Sequence, residues 1–185
     1  CIIKFYFILV YFKISILVYK KIFFIGLLSI FLLFAFDIWT KRLAFSKVDY
    51  IIDKTAGVHT YIRITNFFNI VKVVNTGVSF GLFGSLKYGQ FILSFITFLI
   101  VAFLIYLIWN TNSRYKTLVY SLIIAGGFGN LYDRIIYGGV FDFLDFHIGG
   151  YHWPAFNIAD SLICIGVCLL ILEDFIKFIK ERKSN

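Results

Sequence analysis

The sequence predicts an integral membrane protein that is mainly α-helical, with four transmembrane helices, a small sheet and a loop beside it. The chain of 185 residues is 61% hydrophobic and 21% aromatic, with a mean hydropathy of +0.89. Soluble domains are only about 45–50% apolar, so this composition excludes a soluble globular protein. The apolar residues also fall into long segments, as membrane-spanning helices require.

The charges are distributed as expected for a membrane protein. The formal net charge is +8, and the basic residues lie mostly between or beside the apolar segments. In a soluble protein this charge would indicate nucleic acid as a partner. Here it favours contact with anionic lipid headgroups, and we expect no nucleic-acid partner. Of the 10 acidic residues, four lie between residues 126 and 161, namely Asp133, Asp142, Asp145 and Asp160.

The first transmembrane helix is predicted over residues 21–41. The stretch from Ile22 to Trp39 contains one charged residue, Asp37, and would be about 27 Å long as a helix. Residues 1–20 are set apart as an N-terminal extension, because two lysines interrupt their apolar run. An interfacial segment and an untranslated leader explain this extension equally well.

Three further transmembrane helices follow, separated by a short basic loop and by a loop rich in glycine and aromatic residues. Both termini are placed in the cytoplasm, so the sheet and the second loop share the opposite side of the membrane. The predicted segments are 88–109 (second helix), 110–116 (cytoplasmic loop), 117–136 (third helix), 137–154 (extracytoplasmic loop), 155–177 (fourth helix) and 178–185 (cytoplasmic tail).

Residues 42–87 differ in character from the helices. β-branched and aromatic residues are mixed with charged ones, as in YIRITNFFNIVKVV, and this pattern predicts short strands in a water-exposed domain. After these strands comes Asn75-Thr-Gly77, where Asn75 offers both a hydrogen-bond donor and an acceptor. A plain turn is the alternative interpretation of this tripeptide.

Two groups of polar residues fall inside apolar helices, where polar groups are costly and therefore indicate function. If the chain before residue 136 is helical, Asn130, Asp133 and Arg134 share one face. Asn157 and Asp160 form a second polar face at the start of the fourth helix. We expect the two faces to meet at one level of the membrane.

Paired carboxylates are the most informative combination in this chain. Two carboxylates that lie close together cannot both ionise easily, so one keeps a proton while the other acts as a base toward water. This is the chemistry of peptide hydrolysis. The sequence offers Asp142 or Asp145 as the partner of Asp160. A structural polar network is the alternative.

Two ion pairs are expected to support the site. Asp37 and Lys41 are spaced i, i+4 in the favourable order and would hold the end of the first helix against the next segment. A simple interfacial ion pair is the competing explanation. Asp133 and Arg134 are expected to pair with each other and brace the site.

The sequence gives little support to metal or thiol chemistry. His147 and His152 lie near two aspartates, but their spacing matches no compact zinc signature, so we expect no metal and no other cofactor. Cys164 and Cys168 lie on an apolar helix, which favours small packing residues over a disulfide or a nucleophile. The glycines of GGFGN are interpreted as helix-packing residues, because neither the strand nor the lysine of a P-loop is present.

Four stretches resemble, in order, the motifs of the lipoprotein signal peptidase (signal peptidase II) family. They are DIWTK at 37–41, FFNIVKVVNTGVSFG at 67–81, GGFGNLYDRIIYGGVFDF at 126–143 and PAFNIADS at 154–161. The resemblance covers residues 20 to 177 and implies an aspartyl-protease dyad, formed by Asp142 and Asp160. It also implies supporting or substrate-binding roles for the matching polar residues, Asp37, Lys41, Asn75, Asn130, Arg134 and Asn157.

The resemblance further implies a bacterial cytoplasmic (inner) membrane protein with four transmembrane helices, an extracytoplasmic β-cradle and an adjoining loop that covers the site. The implied function is an intramembrane aspartic endopeptidase. It would remove signal peptides from diacylglyceryl-modified prolipoproteins by cutting before the lipidated cysteine. The expected partners are these substrates and membrane lipid, and we expect a monomer.

Two alternative functions belong to other classes of protein. A small proton-coupled membrane transporter would also contain acidic residues and glycine-broken helices, but four helices without a detectable repeat argue against it. A lipid-binding scaffold protein fits the composition, yet it leaves paired aspartates at membrane depth unexplained.

Overall fold

The computed structural model describes residues 2–48, 51–53, 57–59, 61–77 and 88–184. The described residues are mainly helical, with a small antiparallel sheet. In chain order the elements are α1 (Ile2–Lys47), β1 (Ile51–Asp53), β2 (Gly57–His59), β3 (Tyr61–Arg63), β4 (Phe68–Asn75), α2 (Gly89–Asn110), α3 (Arg114–Tyr137), β5 (Val140–Ile148), β6 (Tyr151–His152) and α4 (Ile158–Ser184).

The helices pack side by side with α3 in the middle. Helix α3 contacts α1, α2 and α4. Ile124 and Ala125, near the centre of α3, are fully buried because neighbouring helices cover them. The core is completed by apolar residues from all four helices, namely Ile30, Val101, Leu104, Ile108, Ile123 and Leu162.

The outward faces of the helices carry large apolar side chains. Phe24 on α1 is 66% exposed and Phe91 on α2 is 72% exposed. A continuous apolar surface of this kind is costly in water and suits the hydrocarbon of a bilayer. Among the described residues, Lys20–Lys47 and Gly89–Asn110 are long and apolar enough to cross a membrane.

Helix α1 is longer than the sequence predicted. The prediction placed the start of the sheet domain at residue 42, whereas α1 continues to Lys47. The segment RLAFSK that follows Lys41 contains neither proline nor glycine, so nothing in it ends a helix. Phe45 in this last part stacks on Phe141 of β5, with ring centroids 4.2 Å apart. The extension therefore joins α1 to the sheet. At the other end, α1 begins at Ile2 and so includes residues 2–20 of the segment 1–20 that the sequence analysis set apart.

The predicted sheet and the predicted loop form one structure. Strands β3 to β6 make an antiparallel sheet in the order β3-β4-β5-β6, while β1 and β2 pair separately. Strands β5 and β6 come from the segment 137–154, which the sequence analysis assigned to a loop. The pairing of β4 with β5 contains a bulge, because Ile70 lies opposite Leu144 but Val73 lies opposite Asp142.

Helix α4 begins later than the predicted start at residue 155. Phe156 belongs to the sheet, since its amide donates to the carbonyl of Leu144 at 3.1 Å and its carbonyl accepts the amide of Phe143 at 3.0 Å. A residue paired in this way cannot form part of the helix, which starts at Ile158. The sheet therefore leads directly into the first turn of α4.

We predict that Gly126→Ala destabilises the helix packing more than Gly127→Ala. A methyl group at residue 126 would collide with the backbone carbonyl of Ala159, which cannot move without shifting α4. A methyl group at residue 127 would meet a side-chain atom of Val101 at 2.8 Å, and a side chain can turn. Overpacking costs about 1–3 kcal/mol. Thermal unfolding in detergent measures both changes, and equal losses would contradict this assignment.

Candidate active site

The first turn of α4 holds two of the predicted site residues in a reciprocal cap. Asn157 precedes the helix, and its Oδ1 accepts the amide of Asp160 at 2.9 Å. In return, Oδ2 of Asp160 accepts the amide of Asn157 at 3.2 Å. This is the arrangement of a capping box, in which two residues satisfy each other's free amides at the start of a helix. The sequence Asn-x-x-Asp thereby orients both side chains.

Amide side chains connect Asp160 to Asp142. Asn130 on α3 donates through Nδ2 to Oδ1 of Asp160 at 2.7 Å. Asn157 donates through Nδ2 to Oδ1 of Asp142 at 2.7 Å and to Oδ1 of Asn130 at 3.2 Å. Asn75, at the end of β4, donates to Oδ2 of Asp142 at 2.9 Å. Asparagines from three separate segments of the chain therefore hold the two carboxylates at one site.

The surroundings of Asp142 disfavour its charged form. The residue is only 2% exposed. Burial raises the pKa of its carboxyl, the nearby Asp160 raises it further, and the bonds from Asn75 and Asn157 lower it. The resulting pKa is about 7, against an ordinary value of 3.8. Asp142 therefore keeps a proton in a pH range where exposed aspartates are ionised.

A buried lysine next to this network links α1 to α3. Lys41 is 1% exposed, and its Nζ lies 2.8 Å from Oδ2 of Asp37 and 2.8 Å from Oδ2 of Asp133. It also donates to Oδ1 of Asn130 at 3.3 Å. The other oxygen of Asp37 accepts the amide of Ala159 in α4 at 2.8 Å. One positive charge thus compensates two buried carboxylates, and Asp37 satisfies a free amide of α4.

The predicted ion pair between Asp133 and Arg134 is wrong. Consecutive residues on a helix project about 100° apart, so their side chains cannot face each other. Asp133 pairs with Lys41 instead. Arg134 donates through Nη1 to the carbonyl of Asn130 at 3.3 Å and through Nη2 to the carbonyl of Gly77 at 3.4 Å. Arg134 therefore ties α3 to the chain that leaves β4.

Asp145, the other candidate partner of Asp160, has separate contacts. Its Oδ2 accepts Nδ2 of Asn69 at 2.8 Å, and its Oδ1 lies 2.8 Å from Nδ1 of His152. Asp142 and Asp145 are separated by an odd number of positions on one strand, so they point to opposite faces of the sheet. The structure therefore places Asp142 in the network with Asp160, and Asp145 in another.

The bulge in β4 makes both asparagine–aspartate pairs possible. Asn69 and Asn75 are separated by an even number of positions and would share a face in a regular strand. The extra residue between them reverses the alternation, so Asn69 reaches Asp145 while Asn75 reaches Asp142. Sequence reasoning missed Asn69, and its only signal was a polar residue within the run FFNIVKVV.

Small residues also shape the site, and the sequence analysis did not assign them a role in it. A methyl group added to Gly129 on α3 would collide with Oδ2 of Asp37. The glycine therefore leaves the space that the buried carboxylate occupies. Ala159 has no exposed surface and presents its amide to Asp37.

The structure also shows where the cysteines and histidines lie. Cys164 and Cys168 are exposed on α4, so the prediction that they fill the core is wrong. The face of α4 that packs inward is formed by residues such as Leu162, which lies on a different side of the helix. His147 and His152 stack on each other with centroids 4.8 Å apart. In the part of the chain that the structure describes, no three His, Cys, Asp or Glu residues are grouped as metal ligands.

Solved structures of similar shape indicate the class of protein. Two are described as bacterial membrane enzymes, determined by the in meso method at 2.3 and 1.9 Å resolution. The first has a TM-score of 0.67 and 30% identity, over 86% of this chain and 90% of that chain. The second has a TM-score of 0.66 and 31% identity, over 80% and 90%. The fold is that of a bacterial membrane enzyme.

The sequence comparisons identify the family. Residues 29–176 match the family model described as Signal peptidase (SPase) II. A lipoprotein signal peptidase of Thermodesulfovibrio yellowstonii is 41% identical over 81% of this chain and 94% of its own length. Another, of Pelagibacter ubique, is 39% identical over 89% and 96%. This chain belongs to the signal peptidase II family and is a peptidase.

We predict that Lys41→Met strongly destabilises the protein. It would leave two buried carboxylates without their shared positive charge, at a cost of about 3–5 kcal/mol. Lys47→Met, the same change at an exposed position of the same helix, should change stability by less than about 0.5 kcal/mol. The free energies of unfolding of the two variants are measured in detergent and compared. Similar stability of both variants would show that the buried charge is not needed.

Proposed function

We propose that this chain is an aspartic endopeptidase of the bacterial cytoplasmic membrane that removes the signal peptides of prolipoproteins. Membership of the signal peptidase II family supports the reaction and the class of substrate. The aspartic mechanism rests on one observation, the bridging of Asp142 and Asp160 through Asn157 and Asn130. The substrate is cut before a cysteine that carries diacylglycerol.

In the proposed mechanism, Asp142 and Asp160 share one proton and hold one water molecule. Asp142 carries the proton, because its pKa is about 7. Asp160 is the base, and it lies in the first turn of α4, where the helix dipole stabilises negative charge. Asp160 takes a proton from the water as the water oxygen attacks the scissile carbonyl carbon. At the same time Asp142 gives its proton to the carbonyl oxygen.

The tetrahedral intermediate then collapses with the roles reversed. Asp160 passes the proton it has taken to the leaving nitrogen, and the C–N bond breaks. A hydroxyl proton of the intermediate returns to Asp142 as the new carboxyl group forms. Both aspartates are then in their starting states, and no other reactant is consumed. Because a carboxylate activates the water, the mechanism requires no metal or other cofactor.

The neighbouring residues hold the two carboxylates in place. Asn75 and Asn157 contact the two oxygens of Asp142, and an amide can do this whether the carboxyl is charged or neutral. Arg134 supplies a permanent positive charge, and Asp142 and Asp160 are among the carboxylates that act on it electrostatically. We assign it the role of offsetting the negative charge of the dyad.

A second group supports the dyad from outside. Asp37, Lys41 and Asp133 form a buried charged group that contacts α3 at Asn130 and α4 at Ala159. Asn130 also binds the dyad directly. The assigned role of this group is to keep α1, α3 and α4 at a constant separation, so that Asn130 and Asp160 stay in place.

In this proposal all four helices cross the membrane. Helices α1 and α2 contain the candidate spans, and α3 packs against both. Helix α4 packs against α3, and its Phe175 is exposed among other apolar side chains. Arg114 and Lys116 begin α3, and Arg182 and Lys183 end α4. We assign these basic ends to the cytoplasmic side, and the sheet and the dyad to the extracytoplasmic side.

The substrate is delivered through the bilayer in this proposal. Its acyl chains stay among the lipids while the peptide reaches the dyad, and the protein works as a monomer in contact with membrane lipid. A proton-coupled transporter was the alternative from the sequence. Family membership favours the peptidase. The hydrogen bonds around Asp142 and Asp160 are accounted for by the peptidase mechanism.

We predict that Asp142→Asn and Asp160→Asn each abolish cleavage, because either change removes the shared proton or the base. General acid–base groups contribute about 10²–10⁴-fold to rate, so the cleavage rate of each variant should fall by at least about 10²-fold. The assay uses purified protein in detergent and a prolipoprotein whose cysteine carries diacylglycerol, with release of the signal peptide as the signal. Asp174→Asn is the matched control, since its carboxylate on α4 is 81% exposed.

Each outcome of this experiment has a defined meaning. Loss of cleavage in both dyad variants, with an active Asp174→Asn and with dyad variants that stay folded in detergent, supports the aspartic mechanism. Full activity in either dyad variant would falsify the assignment of the dyad. Failure of the wild-type protein to cut any modified prolipoprotein would reject the proposed substrate class.

We also predict that activity falls as the pH rises through about 7. The pKa of Asp142 is raised to about 7, so the dyad holds its proton below that pH and loses it above. A profile of kcat/KM between about pH 5 and about pH 9 should therefore show an alkaline limb near 7. Unfolding temperatures at each pH separate titration from denaturation. Activity that increases throughout this range would contradict a protonated Asp142.

A further inference from the structure

The sheet contains a buried carboxylate that the proposed reaction does not use. Asp145 on β5 is 5% exposed. It accepts a hydrogen bond from Asn69 on β4 at 2.8 Å, and lies 2.8 Å from Nδ1 of His152 on β6. These three side chains connect three neighbouring strands. We call the group of Asn69, Asp145 and His152 the clasp.

The clasp lies on the segment that joins the two aspartates of the dyad. Strand β5 carries Asp142, the chain reverses at Gly149 and Gly150, and β6 carries His152. The chain then returns along β5 to the first turn of α4, where Asp160 lies. The two aspartates therefore lie on either side of one hairpin, formed by the end of β5, the turn and β6.

Few backbone contacts hold the returning chain on the sheet. The amide of Trp153 donates to the carbonyl of Phe146 at 2.8 Å, and Phe156 forms an isolated bridge with Leu144. Strand β6 is only two residues long. A strand pairing of only two residues has little stability of its own. A hydrogen bond to a buried carboxylate is among the stronger side-chain contacts available to close it.

We propose that the clasp positions Asp160 relative to Asp142, and that His152 is a positioning residue for the reaction. This inference rests on the proposed function. With the clasp closed, the returning chain stays on the sheet and Asn157 remains 2.7 Å from Asp142. With the clasp open, the dyad samples a wider range of separations. Loss of the clasp therefore lowers kcat and leaves KM nearly unchanged.

A metal site at this position is less well supported. His147 stacks on His152 with an interplanar angle of 23°, and two imidazoles side by side suggest ligands. The nitrogen lone pairs of two nearly parallel stacked rings lie in separate, nearly parallel planes and do not converge on one ion. The ring nitrogen Nδ1 of His152 is also occupied by Asp145. The contacts made by His152 therefore favour a structural bond.

Substitutions at two histidines separate the hydrogen bond from the ring. His152→Phe keeps a flat ring against His147 but removes the donor to Asp145. His152→Asn removes the ring and keeps an amide donor at a similar reach. His147→Phe is the matched control, because it changes the stacked ring and leaves the clasp intact. Should His152→Phe fail to fold, His152→Ala replaces it.

The measurements are steady-state cleavage of a diacylglyceryl-modified prolipoprotein and amide hydrogen exchange. We expect His152→Phe to lower kcat about tenfold with less than about a twofold change in KM. His152→Asn and His147→Phe should stay within about threefold of wild-type kcat. The amides of Trp153 and Phe156 should exchange faster in His152→Phe than in His147→Phe.

The results distinguish this inference from the proposed function. Wild-type kcat in His152→Phe, alongside an inactive Asp142→Asn, overturns the clasp and leaves the proposed function standing. Equal impairment of His152→Asn and His152→Phe also overturns it, because the ring and not the bond would then matter. If the wild-type protein cleaves no substrate, the proposed function fails. Hydrogen exchange still tests the clasp in that case, and unchanged exchange in His152→Phe rejects it.

Discussion

A positive charge buried between two negative charges is the interaction on which the rest of this structure depends. Lys41 can lose its water only because Asp37 and Asp133 both lie against its ammonium group. That requirement fixes the distance between α1 and α3 at the level of Lys41. Asp37 then uses its second oxygen for an amide at the start of α4. Three helices are thereby aligned at the level where the candidate dyad lies.

The same side chains serve the fold and the candidate chemistry. Asn157 caps α4 through its Oδ1 and binds Asp142 through its Nδ2. Asp160 completes that cap through one oxygen and binds Asn130 through the other. In a low-dielectric region each of these polar groups needs a partner, and they supply partners to one another. Stability and activity at these positions are therefore coupled, and a single substitution there changes both.

Local periodicity predicted the parts of the site that lie on helices. The spacing of Asn130, Asn157 and Asp160 indicated polar faces that would meet, and the structure brings these three residues into contact. The i, i+4 spacing of Asp37 and Lys41 indicated their pair, which is present. These predictions succeed because a helix fixes which side chains share a face.

The parts that sequence reasoning missed depend on contacts between distant segments. The partner of Asp133 is Lys41 on another helix, and no local pattern specifies that choice. The residues alone left Asp142 and Asp145 as equal candidates, because the register of β5 against β4 decides which one faces α4. Resemblance to a family separated them, whereas periodicity did not.

The bulge in β4 also limits how chains of this fold can vary in length. Deleting one residue between Asn69 and Asn75 would restore regular alternation and turn one asparagine away from its aspartate. The turn at Gly149 and Gly150 has no such constraint, since additional residues at the tip shift no side chain of β4. Insertions and deletions are therefore tolerable at the tip and disruptive in β4. An alignment gap opened within β4 would place the asparagine that binds Asp142 in the wrong column.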